Sequence, residues 1–230
     1  MTAAPPRPDP QDTAARRPLA VRRLGTVRYG LCLEMQAQLV AERQAERIPD
    51  TLLLLEHDPV FTLGRNARRE HLLVPEARLR RMGFDVFEAG RGGDVTYHGP
   101  GQVVGYPIID LGPDRRDVHR YVRDLEEVQI RTCRDFGVEA QRIRGLTGVW
   151  VGGAKVGAIG VRIARWVTSH GFALNVAPDL SHFRHIVACG IHDRGVTSLR
   201  DLAGQEVSLS QVMDRLTQNM CAVFERRLVT

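Results

Sequence analysis

Residues 91–111 read RGGDVTYHGPGQVVGYPIIDL. Two extended runs, 94–98 and 102–110, are joined by HGPG, a turn too short to hold a crossover helix. A parallel pair needs such a crossover, so this connection argues for a mixed sheet. Outward from it the same alternation continues. Residues 51–56 read as a buried strand, 84–89 as an extended segment and 20–24 as a short strand. From 139 to 176 the chain is mostly extended, through EAQRI, GVWVGG, AKVGAIGVRI and WVTSHGFALNV, with glycines as punctuation. Helices are expected at 29–47, with Leu31, Met35, Leu39 and Val40 at helical spacing, and at 75–82, ended by Gly83. The clearest is 117–136, whose Val118, Tyr121, Val122, Leu125, Val128 and Cys133 share one face, with Asp117 as cap. Short helices are expected at 178–186 and a terminal amphipathic one at 208–226. Strands and helices are thus interspersed, and the fold class is α/β of the α+β kind, a mixed β-sheet flanked by helices. A doubly wound nucleotide fold would need a GxGxxG turn near its start, and the chain has none.

The 230 residues carry 32 basic and 27 acidic groups, with a pI near 9.4. Residues 1–23 hold five arginines against two aspartates, so much of the basic excess sits in a tail and the body is close to neutral. Five of the twelve prolines precede Leu19, and residues 1–18 are expected to be a disordered tail before a single domain at 19–230. A domain of this size buries about 70–75% of its unfolded surface and needs no disulfide or metal staple. Nucleic acid and membrane are not expected partners: the charge lies in the tail, and no apolar run approaches the ~18 residues that span a bilayer. No secretory h-region is present and no serine precedes Ser169, so the expected compartment is the cytoplasm. The cysteines at 32, 133, 189 and 221 show no paired spacing and read as thiols.

Of the 32 cations only one, Lys155, is a lysine. It lies in GVWVGGAKVGAIG, where glycines let a substrate approach the backbone. An exposed lysine in a strand turn is the plain alternative. A phosphate-binding loop is excluded because GK[ST] is absent, while a Schiff base stays open. Cys32, Cys133 and Cys221 lie in expected helices among apolar residues, where a thiol acts as a small hydrophobe. Cys189, in IVACGIHD, stands outside any helix and before a glycine, which makes it the candidate nucleophile by elimination. The ordinary acidities of a thiol and an ammonium, pKa about 8.5 and 10.4, favour proton transfer from sulfur to amine by about 2.6 kcal/mol in water, and burial opposes it. Such a pair suits acyl transfer to an amine.

His182, His185, Cys189 and His192 spell HxxHxxxCxxH, which matches no common zinc signature, and no metal is expected. His98 and His170 sit beside glycines and are candidates for lining a site, with a satisfied core histidine as the alternative. RGGD and HGPGQ bracket the strand VTY and supply loops whose backbone amides can meet a carbonyl.

Taken together, EHDPVFTLGR, RGGDVTYHGPGQVVGYPIIDL, RYVRDLEEVQI, GVWVGGAKVGAIGV, SHGFALNV, PDLSHF, VACGI and GVTSL resemble the lipoyl(octanoyl) transferase family, relatives of lipoate and biotin protein ligases, over residues 53–199. The resemblance implies a ligase-like catalytic domain that moves an octanoyl group from octanoyl-acyl carrier protein to a lysine of lipoyl domains, with no cofactor. Acceptors implied are the lipoyl domains of 2-oxo acid dehydrogenase complexes and the glycine cleavage H protein; the expected state is a monomer. It implies Cys189 as the residue that forms the acyl thioester and Lys155 as the group that lowers its pKa. The implied substrate-binding residues are Arg91, Gly92, Gly93, Asp94, Val95, Thr96, Tyr97 and His98, then Ala158, Ile159 and Gly160, then Gly171, Phe172 and Ala173. Ala188 stands where the family usually has proline and Gly157 where alanine is common. An ATP-dependent lipoate ligase is the nearest alternative, and a DNA-binding regulator a more distant one. Arg65, Arg68 and Arg69, or Arg142 and Arg144, are candidates to meet an acidic carrier.

Overall fold

The structure, a computed structural model, describes residues 16–190 and 194–229. Among the described residues eleven strands and five α-helices follow in the order β1 (Arg17–Val27), α1 (Tyr29–Gln44), β2 (Asp50–His57), β3 (Val60–Leu63), α2 (Glu76–Arg81), β4 (Asp85–Glu88), β5 (Val95–His98) and β6 (Gln102–Ile108). Then come α3 (Val118–Asp135), β7 (Gln141–Ile143), β8 (Leu146–Val151), β9 (Ala154–Ala164), β10 (Val167–Asn175), α4 (Leu199–Ala203), α5 (Leu209–Phe224) and β11 (Arg226–Val229). Eight strands form one mixed sheet in the order β11-β1-β2-β6-β10-β9-β8-β7, and three form a second sheet, β4-β3-β5. In the large sheet β1 runs parallel to β2 and β11, and the other pairs are antiparallel. The sheet is mixed as expected, but the β5–β6 connection is not what makes it so: β5 pairs with β3 and β6 with β2 and β10, and HGPG leads from one sheet to the other.

The run Leu52–Leu55 shows why a strand can be apolar throughout. Leu52 and Leu54 enter the core under α3 and α5, while Leu53 and Leu55 enter the core under α1. With both faces covered, no alternation is needed. Asp117 caps α3 by accepting from the Arg120 amide at 3.0 Å. Gln129, fully buried on α3, places its amide where a Cβ on Gly157 would stand, so the glycine and the glutamine are a matched pair.

Three expectations need correction. Arg17 and Pro18, expected in the tail, belong to β1 and pair with Arg226 and Arg227; residues 1–15 of the expected tail lie outside the described residues. The terminal helix stops at Phe224, where Glu225 turns left-handed (φ 52°), and β11 follows because the Arg226 guanidinium is buried against Asp50 (2.9 Å) and Asp114 (2.7 Å). Finally, α1 buries Tyr29, Cys32, Gln36, Leu39 and Arg43, leaving Leu31 57% exposed. Two polar residues lie on that face because each has an inward partner: Gln36 accepts from the His170 amide, and Arg43 pairs with Asp50. None of the described helices is long and apolar enough to cross a membrane.

Candidate active site

A cavity of about 250 Å³ lies where the large sheet, at β6, β9 and β10, meets the loop before β5. Three of its lining residues, Gly93, Gly145 and Thr147, are exposed and mark its mouth. Lys155 and Cys189 both line it, and Lys155 Nζ donates to Cys189 Sγ at 3.0 Å. The lysine is 7% exposed, with its ammonium 4.8 Å from the centre of the Trp150 ring, a cation–π contact that holds the head group in place. Its backbone is locked as well: the Lys155 amide donates to Gly195 and its carbonyl accepts from Thr197.

Cys189 sits in a single turn, Ala188–Gly190, with left-handed backbone (φ 57°, ψ 20°). Such a conformation in a non-glycine residue persists only where neighbours impose it. Here they do. The preceding residues are stapled to the 71–73 segment by Val187 N–H to His71 O (2.8 Å) and Leu73 N–H to His185 O (2.9 Å). After the cysteine, Gly190 (φ +69°) lies so close to Asp94 that a Cβ would stand 2.8 Å from Oδ2. Asp94 is itself fixed, accepting from His71 Nδ1 and from the Val95 amide, both at 2.7 Å.

The residues singled out from sequence divide by strand geometry. Arg91, Gly93, Asp94, Thr96 and His98 line the cavity together with Ala158, Ile159, Gly160, Gly171, Phe172 and Ala173. Val95 and Tyr97 do not. Successive side chains of a strand face opposite ways, so the two residues between Asp94, Thr96 and His98 enter the core of the small sheet. Gly92 is also outside the lining; its amide donates to Val161 O at 2.9 Å. That bond and the one from Gly190 N–H to Val187 O (3.0 Å) commit both amides, which removes them as donors to a reacting carbonyl. Tyr29, Tyr106, Leu146 and Thr147 line the cavity as well and carried no sequence signal, because an aromatic on a helix or strand reads as core.

Burial sets the charge of these groups. His57, His98 and His170 are all buried, and desolvation pushes them down to about 4, 3 and 4 respectively, so they are neutral imidazoles at pH 7. Gln102 Nε2 donates to Tyr97 O and Asn175 Oδ1, so its Oε1 faces His98 and accepts from Nδ1–H at 2.6 Å. His57 donates from Nδ1 to Val27 O, and Tyr106 donates to its Nε2. Arg91 is a buried cation whose two amino groups give to Thr62 and Gly92 oxygens, and burial lowers its pKa. Burial pushes Cys32 and Cys133 up to about 12 and raises Cys221, so those three thiols stay protonated. The metal-like histidine spacing serves another purpose. His182 Nδ1 bonds the Tyr97 hydroxyl, His185 packs on Phe61 and Phe84, and His192 lies outside the described residues. Among the described residues no three His, Cys, Asp or Glu side chains converge as metal ligands.

The chain matches the family model of the lipoyl protein ligase A/B catalytic domain over residues 28–221. It is 53% identical to an octanoyltransferase of Solibacter usitatus over 91% of this chain and 94% of that one. With an octanoyltransferase of Chloroflexus aggregans it shares 51% identity over 93% and 98%. Among solved structures, a chain of the bi-partite lipoate protein ligase of Thermoplasma acidophilum superposes with a TM-score of 0.68 at 16% identity, covering 94% of this chain and 88% of that one. At that identity the superposition speaks for the fold alone. The family match and the two half-identical relatives go further: the chain belongs to the lipoyl protein ligase A/B catalytic-domain family, within its octanoyltransferase branch.

Proposed function

We propose that the protein is an acyltransferase of protein lipoylation, moving an octanoyl group from acyl carrier protein to a lysine of lipoyl domains through a thioester on Cys189. The observation that carries this reading is the 3.0 Å contact between Lys155 Nζ and Cys189 Sγ at the wall of a cavity. The thiolate attacks the carrier's thioester carbonyl; the carrier's thiol departs with a proton from Lys155, and the octanoyl chain is left on sulfur. The acceptor lysine then attacks the same carbonyl, gives its proton to the Lys155 amine, and the amide is released while the Cys189 thiolate is restored. Thioester to amide runs downhill, so no nucleotide is consumed. Each chain methylene that the cavity takes from water contributes about 0.8 kcal/mol to holding the acyl group.

The donor reading also has an electrostatic side. Arg68 and Arg69 pair with Glu70 and Glu88, and Arg142 with Glu126 and Glu127. Arg65 and Arg144 are exposed and have no acidic partner among the described residues. Arg65 adjoins the 91–94 loop, its backbone N–H donating to Arg91 O, and Arg144 precedes Gly145 at the mouth. Reversing both charges, Arg65→Glu with Arg144→Glu, is expected to raise KM for an acidic octanoyl carrier about tenfold with little change in kcat. The difference should shrink in high salt. Equal KM at low salt would remove these arginines from the docking surface.

The decisive experiment incubates the protein with octanoyl carrier protein and an apo lipoyl domain, without nucleotide. Octanoylated domain is the expected product. With the donor alone, intact mass should show one octanoyl adduct that Cys189→Ala lacks. Acylation that appears only when ATP and free acid are supplied would make the protein a ligase; an adduct that survives in Cys189→Ala would move the nucleophile elsewhere.

A further inference from the structure

The same two side chains carry a second chemistry. Cys189 is half-buried on a cavity with an open mouth, so a small oxidant reaches its sulfur, and the first product of peroxide on a thiolate is a sulfenic acid. A sulfenic acid is then captured by the nearest thiol or nitrogen, or it is oxidised further to a sulfinate that thiols do not reduce. No other thiol lines the cavity: Cys32 is buried under α1, and Cys133 and Cys221 belong to the cluster of α3 and α5. The following backbone amide, another known trap, is held by Val187 O at 3.0 Å. Among the described residues, the side-chain nitrogen hydrogen-bonded to the sulfur is Lys155 Nζ, at 3.0 Å.

We propose that Cys189 and Lys155 are a reversible modification site, closing under hydrogen peroxide to a sulfenamide between Sγ and Nζ. First the thiolate sulfur attacks one peroxide oxygen. The O–O bond breaks, the second oxygen leaves as water after taking a proton, and sulfur is oxidised by two electrons as peroxide is reduced. Next the Lys155 amine attacks sulfur, the S–N bond forms, the S–O bond breaks, and the hydroxyl departs as water with an amine proton. The sum is thiol plus amine plus one peroxide to sulfenamide plus two waters. Because the Lys155 and Val187 backbones are both hydrogen-bonded in place, closure needs only side-chain rotation. A dithiol such as dithiothreitol reverses it by attacking the sulfur and releasing the amine. The cross-link protects sulfur from sulfinate and silences the thiol until it is reduced. It requires the thiol and the amine alone, so it stands or falls separately from the transfer reaction.

The chain's one lysine makes the test direct, since endoproteinase Lys-C has a single cleavage site, after Lys155. Full-length protein treated with hydrogen peroxide, then denatured, is expected to resist Lys-C and to weigh less by two hydrogens at the Lys155 and Cys189 peptides. Dithiothreitol should restore both mass and cleavage. Lys155→Arg under the same peroxide should instead gain oxygens on Cys189 that dithiothreitol does not remove. Wild-type protein that is still cut by Lys-C after oxidation overturns the proposal, whether its cysteine then carries oxygens, a disulfide or a bond to backbone nitrogen. The wild-type digest decides the matter even if the variant fails to fold.

Discussion

Replacing Lys155 by arginine is expected to slow octanoyl transfer about a hundredfold or more while leaving the fold intact. The lysine head group lies between Cys189 Sγ, at 3.0 Å, and the face of Trp150, at 4.8 Å, and arginine can satisfy both contacts with its own charge and plane. A guanidinium does not release a proton in a protein, however, so the variant keeps the electrostatic partner and loses the acid and base. The two effects separate experimentally. Alkylation of Cys189 by iodoacetamide reports the thiolate and should change little in Lys155→Arg. Turnover needs a proton delivered to the departing carrier thiol and then removed from the acceptor amine, and should collapse. Near-normal turnover in the variant would reduce Lys155 to an electrostatic role. Loss of alkylation together with turnover would point to thiolate stabilisation as its main contribution.

Lys155 and Cys189 are legible before the chain folds because each is a local oddity. One is a lone lysine among arginines, the other a cysteine placed before glycine outside any helix, and both meet in one cavity. The mixed sheet was legible from other short connections, since residues 152–153 and 165–166 leave no room for a crossover and β8, β9 and β10 pair antiparallel, whereas HGPG joins strands of different sheets. What stayed hidden depends on partners distant in sequence. The buried face of α1 runs through Gln36 and Arg43 because His170 and Asp50 wait beneath them. Apolar spacing alone selects Leu31 instead. Strand β11 exists because Arg226 finds Asp50 at 2.9 Å, 176 residues away. Tyr29 and Tyr106 reach the cavity from a helix and a strand whose residues otherwise fill the core. Even within RGGDVTYH, the sequence marks a segment but not which alternate residues turn inward, because the register of β5 is set by its pairing with β3.

The neutral histidines around the cavity have a consequence for stability. His57, His98 and His170 hold folded values of about 4, 3 and 4, against about 6.5 in an unfolded chain. Above pH 6.5 both states carry neutral rings, and the histidines impose no penalty. As pH falls through 6.5 the unfolded chain takes up protons that the fold excludes, so stability drops by about 1.4 kcal/mol per pH unit for each ring. The loss continues until the folded rings themselves protonate, near pH 4 to 3. Carboxylates enter only below about pH 5, which leaves the interval from 7.5 to 5.5 to histidine. Over it the three rings together should cost about 4 kcal/mol, a large share of the 5–15 kcal/mol typical of a domain. Urea unfolding at the two pH values measures the loss. The control is His170→Asn. His170 Nδ1 has no partner among the described residues, the hydrogen bond its backbone N–H donates to Gln36 survives the change, and asparagine tolerates the left-handed backbone (φ 54°) better than most residues. Removing one of three titrations should cut the loss by about a third. A wild-type loss under about 1 kcal/mol, or an equal loss in the variant, would mean that water reaches these rings, two of which, His98 and His170, line the cavity.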